Sequence, residues 1–196
     1  IGMAVAGATG SYWLALLVAP AAIGVIGVAI ERLTIRPLAS RRDFAVLSIL
    51  LTFGLSMMLR DTAQLLWGVD THTLEAPVSG VLRIGGIALS NYRLFVFAVA
   101  SAAVIGVWFL VNRTMLGAVL RATAHDPDMV AALGVPATVV RVGTIAGSCA
   151  LAGVAGVLLA PIYAIFPTMG HDFILLAFAV VIVGGLGSVA GAVIAG

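Results

Sequence analysis

Five apolar runs divide the chain, at about Tyr12 to Ile30, Phe44 to Trp67, Tyr92 to Val111, Val142 to Ala160 and Phe173 onward. An α-helix rises about 1.5 Å per residue, so roughly 20 residues cross the ~30 Å of hydrocarbon in a bilayer. Backbone N–H and C=O groups find no water there. With no alternating strand pattern in view, such runs must be helices. The expected fold is an all-α, polytopic transmembrane helical bundle of about five membrane segments, the last one broken or re-entrant. Residues 1–196 then form a single membrane domain. Composition agrees, because 62% of residues are hydrophobic and 9% charged, against about 25% charged in soluble domains. The chain opens and closes inside apolar, glycine-rich stretches, which reads as a domain truncated at both ends. The first residues lack the charged region of a signal peptide.

The chain has no lysine, and its arginines are unevenly placed. Arg32, Arg36, Arg41 and Arg42 fall in a loop read from Glu31 to Asp43, and Arg113, Arg121 and Arg141 fall in a loop read over residues 112–141. The loop at 68–91 holds Arg83 alone, and the one at 161–172 holds none. The positive-inside rule makes the first two loops cytoplasmic. Tyr12, Trp13, Trp67, Tyr92 and Tyr163 then sit at outer ends, where amphipathic rings favour the headgroup region. Packing between helices is the plainer account for any one of them. The positive charge speaks to topology and not to nucleic acid.

The loop after the third run carries the most local information. Asp126 suits an N-cap, Pro127 the first helical position, Asp128 the first turn, and Gly134 a left-handed stop. A helix of roughly two turns follows, too short to be stable in water unless something packs on it. Met129, Val130 and Leu133 share a face that would enter a groove on another protein, pack back on the membrane domain, or lie in the headgroups.

Gly184, Gly185, Gly187 and Ser188 interrupt the last apolar run. Glycine there permits non-helical backbone whose freed polar groups could meet a substrate at mid-membrane depth. Close helix packing through small residues, as at Gly187 and Gly191, is the competing account. Thr52 and Ser56, one turn apart on the second run, offer hydroxyls to a solute path, although bonding back to helix carbonyls is commoner. Arg60 and Asp61 are costly inside hydrocarbon and are placed at the outer interface. As direct neighbours on a helix they are not expected to neutralise one another well.

The lone Cys149 excludes an intrachain disulfide. His72, His125 and His171 are scattered, with no metal-binding spacing, so no metal or cofactor is expected. His171 with Asp172 reads as an outer loop in which Asp172 caps the next helix. A hydrolase built from His171, Asp172 and Ser188 is the weakest functional alternative. A secondary carrier, which usually shows buried charges on its path, and a helical subunit with a purely structural role are the others.

Taken in order, Glu31-Arg32-Leu33-Thr34-Ile35-Arg36-Pro37-Leu38, Leu51-Thr52-Phe53-Gly54-Leu55-Ser56, Leu116-Gly117 through Arg121-Ala122 to Asp126 and Leu133-Gly134-Val135, and Gly184-Gly185-Leu186-Gly187-Ser188 with Gly191 resemble a known family. They look like the permease subunits of branched-chain amino acid ABC importers, and the Glu-Arg-Leu and Arg-Pro-Leu signature resembles the LivH-like member of the permease pair. The resemblance implies a multi-pass subunit of the bacterial cytoplasmic membrane that transports amino acids and is not itself an enzyme. Its partners would be a second permease subunit, cytoplasmic ATP-binding subunits and a periplasmic or extracellular solute-binding protein. It also implies that the Asp126 to Leu133 segment is the coupling helix, with Gly117, Arg121, Asp126, Met129, Val130, Leu133 and Gly134 serving the ATPase contact. The absence of lysine fits a separate motor, since a P-loop requires one.

Overall fold

The computed structural model describes residues 2–38, 44–68, 77, 80–84, 87–163, 165–166, 169–185 and 189–196. A short helix α1 (Gly2–Thr9) precedes α2 (Tyr12–Ile30), which continues through a π-helical turn (Glu31–Ile35) into α3 (Arg36–Leu38). Then come α4 (Phe44–Trp67), a hairpin of β1 (Val81–Ile84) and β2 (Ile87–Ser90), and α5 (Asn91–Arg113). The chain continues with α6 (Met115–His125), α7 (Pro127–Ala132), α8 (Ala137–Leu159), α9 (Met169–Gly184) and α10 (Val189–Ala195). Among the described residues, four stretches are long and apolar enough to cross a bilayer: Tyr12–Leu38, Val46–Trp67, Asn91–Arg113 and Ala137–Leu159. The chain is thus an all-α, multi-pass bundle with one small hairpin.

The centre of the bundle is the antiparallel pair α2 and α8. Lipid tails are as apolar as leucine, so helices in a membrane gain by close backbone approach at small residues. A Cβ added to Gly27 would stand 2.6 Å from Cys149 Sγ, and one added to Gly24 would stand 3.3 Å from Ala146 O. One added to Gly153 would lie 2.9 Å from Pro20 Cα. Pro20 itself has no N–H to give the helix ladder, a loss that spans tolerate when neighbours pack around it.

Tyrosines close this pair at one end. The hydroxyls of Tyr12 and Tyr92 lie 2.8 Å apart, Tyr92 donates to Leu158 O at 2.8 Å, and Tyr12 reaches Val157 O at 3.2 Å. Tyr92 is only 3% exposed. These two rings therefore pin α2, α5 and α8 together at the ends of their helices, whereas Trp13 and Tyr163 stay exposed. The physical reason is that a tyrosine hydroxyl in an apolar setting seeks a carbonyl, and the C-terminal end of α8 supplies two.

Three boundaries differ from the sequence reading. The Glu31 to Asp43 loop is helical as far as Leu38, because Glu31 is paired and so can stay inside a helix. Residues 112–141 cut into both flanking helices, with α8 beginning at Ala137 and Arg141 lying within it. Asp172 falls in the first turn of α9, which starts at Met169, and so does not cap it. Strands were not expected, yet β1 and β2 pair antiparallel, with Val81 opposite Ser90 and Ile84 opposite Ile87. Four-residue strands are too short to show alternation in sequence. Outside the apolar spans, this pairing lets the backbone satisfy itself.

The last segment is broken. α9 has 16 residues, about 24 Å of helix, and Gly185 ends it at φ +89°. α10 then folds back antiparallel, so a Cβ on Gly184 would meet Ala192 N at 2.5 Å and one on Gly196 would meet Val180 Cγ1 at 3.6 Å.

Candidate functional site

At the arginine-rich end the chain turns sharply from α5 into α6. Thr114 caps α6 by accepting from Gly117 N at 3.2 Å, and its hydroxyl donates to Leu110 O. Gly117 is buried against the last carbonyls of α5, with no room for a Cβ beside Leu110 O and Val111 O. Arg121 donates to Val111 O, so its cation sits on the negative end of the α5 dipole. Gly117 and Arg121 thus set the angle of this corner.

The short helix α7 has the caps its sequence foretells. Asp126 Oδ1 accepts from Asp128 N at 3.1 Å and from Met129 N at 3.0 Å. Gly134 takes φ +84° and donates to Ala131 O at 3.0 Å. The expected face divides, however. Val130 is 6% exposed and packs inward, while Met129 is 65% and Leu133 78% exposed. A six-residue helix needs an anchor, and Val130 is that anchor. Only Met129 and Leu133, one turn apart, remain for an outside contact.

A groove of about 610 Å³ runs behind α7, lined by Val111, Arg121, Pro127, Thr138, Arg141 and Thr144 among others. Beside it, Arg141 Nε donates to Glu31 Oε1 at 3.0 Å. Glu31 is 0% exposed, and its Oε2 has no hydrogen-bond partner among the described residues. This pair links residues 110 positions apart, and sequence reasoning placed both in loops. The available signal was a glutamate directly following an apolar run, since ionisable groups at membrane depth need a partner.

The described residues named for a solute path, Thr52, Ser56, Gly184 and Gly185, are engaged within their own helices or in helix packing. Thr52 Oγ1 donates to Ser48 O at 2.8 Å and Ser56 Oγ to Phe53 O at 2.7 Å, so both hydroxyls bond back to their own helix. Gly184 is packed against α10, Gly185 is the helix stop, and Gly187 and Ser188 lie outside the described residues. The α10 end instead borders an apolar cleft of about 440 Å³ with Ala103, Val104 and Val107 of α5 and Leu151 of α8. Arg60 Nε and Asp61 Oδ1 approach to 3.6 Å as a loose, partly exposed pair, closer than neighbouring positions on a helix lead one to expect, and such pairs contribute little.

These features define a multi-pass helical membrane protein with a capped amphipathic turn at its arginine-rich end. The family model for the permease component of branched-chain amino acid transport systems matches residues 1–196, and the chain belongs to that family. It is 30% identical over 194 residues to the high-affinity branched-chain amino acid transport system permease protein LivH of Salmonella typhimurium, covering 92% of this chain and 62% of that one. It is 29% identical over 178 residues to the corresponding protein BraD of Pseudomonas aeruginosa, covering 87% and 57%. With the probable LivH of Methanocaldococcus jannaschii it shares 29% over 182 residues, covering 89% and 56%. The chain thus spans less than two thirds of the length of these relatives. No solved structure matches it significantly.

Proposed function

We propose that this chain forms part of the solute path of an ATP-driven importer for branched-chain or related amino acids in the cytoplasmic membrane, with α7 as the contact for a separate ATPase. The observation that carries the reading is α7 itself. It is capped at both ends, anchored by Val130, and presents Met129 and Leu133 outward where family membership leads one to expect an ATPase-facing segment. The arginine bias supports a cytoplasmic position for this end. The middle stretches of α2, α5 and α8 carry no Asp, Glu, Arg, Lys or His, and α4 has only the adjacent Arg60 and Asp61, which fits a path energised by a nucleotide-hydrolysing partner better than one driven by an ion gradient. A second permease subunit and a solute-binding protein complete the assembly.

The test is copurification and uptake in the full-length protein. Leu133→Glu puts a charge beside the outward face of α7; Leu133 caps the helix through its backbone N–H alone, so the Asp126 cap and the Val130 anchor are kept. ATPase copurification is expected to fall by roughly tenfold or more, the size of a modest hot-spot loss, while membrane insertion stays intact. Unchanged copurification would remove α7 from the contact. Uptake by the parent protein that ignores ATP would remove the importer reading altogether.

A further inference from the structure

The α2–α8 pair is tied by different chemistry at its two ends. At one end neutral tyrosines bond to α8 carbonyls. At the other, one turn beyond the last packed contact between Gly27 and Ile145, the tie is the ion pair of Glu31 and Arg141. Arg141 is the fifth residue of α8, which is separated from the end of α7 by four residues. Its side chain lines the same groove as Pro127 of α7 and Arg121 of α6. Glu31 opens the π-helical turn at the foot of α2, an irregularity frequently found at functional sites.

A buried ion pair is weak evidence for stability, because apolar side chains of similar volume hold two helices at least as well. Here the carboxylate has one oxygen satisfied and the other without a partner among the described residues, so it depends on Arg141. What such a pair supplies that apolar packing does not is a fixed register between two named positions. We infer that the Glu31–Arg141 ion pair is the positioning contact that makes α2 follow α8 when α7 is displaced. Neither residue touches solute or nucleotide. Their role is to carry the movement of α7 from the first turn of α8 across to α2, and from there along the glycine-packed length of both helices. This inference rests on the reading of α7 as the ATPase contact.

The experiment compares uptake with ATP hydrolysed in the full-length protein, reconstituted in liposomes with its ATPase and solute-binding partners. Glu31→Gln removes the charge and keeps the shape. Uptake per ATP is expected to drop about tenfold, the loss of one charge-assisted hydrogen bond, while ATPase copurification is unchanged. A merely structural role would lower uptake and hydrolysis together and leave their ratio alone, and that result would overturn the inference. The double variant Glu31→Gln with Arg141→Gln removes the ion pair without leaving an uncompensated charge and is the variant to read where Glu31→Gln alone accumulates poorly. It should show the same drop in ratio, and an unchanged ratio there counts equally against the inference. The exchange Glu31→Arg with Arg141→Glu should restore part of the coupling. A parent protein without ATP-dependent uptake would sink the importer reading and this inference with it, whereas normal parent coupling with unaltered variants sinks this inference alone.

Discussion

The helices α2 and α4 are both long and apolar enough to span a bilayer, yet they are built for different neighbours. α2 buries Ala15, Ala19, Pro20, Gly24 and Gly27 against α8 and the bundle. α4 has no buried side chain among its described residues and turns Ile49, Leu50, Phe53, Met57, Met58 and Leu65 outward. Mean hydropathy is 2.4 for the stretch containing α2 and 1.4 for that in α4, but it is residue size that fits α2 for close packing. Where solvent and side chain are equally apolar, burial in protein gives little advantage, and helices associate where small residues let backbones close. α4 offers one glycine, Gly54, which has nothing within 4 Å of a Cβ position. Its bulky face is suited to lipid or to another subunit, and α2 is suited to α8.

The strongest challenge to this contrast is at the charged end of the α2–α8 pair. Arg141→Ala leaves the buried Glu31 carboxylate without its cation and is expected to cost about 3 kcal/mol, the lower end for breaking a buried pair because Arg141 is itself half-exposed. Reversible unfolding in mixed detergent micelles measures it, and a loss below about 1 kcal/mol would mean that Glu31 finds another partner. Next in size is a matched pair of glycine substitutions. Gly27→Leu should destabilise by about 1–3 kcal/mol through overpacking against Cys149, while Gly54→Leu should stay within about 0.5 kcal/mol. Equal effects at the two positions would abolish the distinction between α2 and α4. Smallest is Asp126→Ala, which removes the cap of α7 and should cost about 1 kcal/mol. That loss should appear as faster amide exchange in α7 with the α2–α8 pair unaffected, and protection lost in both regions would show that the two are more tightly coupled than their contacts suggest.

Local features were legible from residue order. The caps of α7 could be read because Asp126, Pro127 and Gly134 act on backbone groups within a few positions of themselves. The back-bonding of Thr52 and Ser56 is equally local. The family could be recognised because its motifs keep their order along the chain. Val130 was misplaced, since spacing puts it on a face with Met129 and Leu133 but cannot say which side of a six-residue helix meets the bundle. The hairpin escaped notice because its strands are four residues each.

The sequence alone determined that this chain crosses a membrane as helices, because an apolar run of sufficient length must satisfy its own backbone wherever it packs. It also determined where α7 starts and stops. Only the tertiary structure decided which helices touch, that Tyr12 and Tyr92 share a bond, and that Glu31 belongs to Arg141. Those choices depend on groups 80 and 110 positions apart. Between such groups the order of residues sets no distance, and only the assembled packing of small side chains brings them within bonding range.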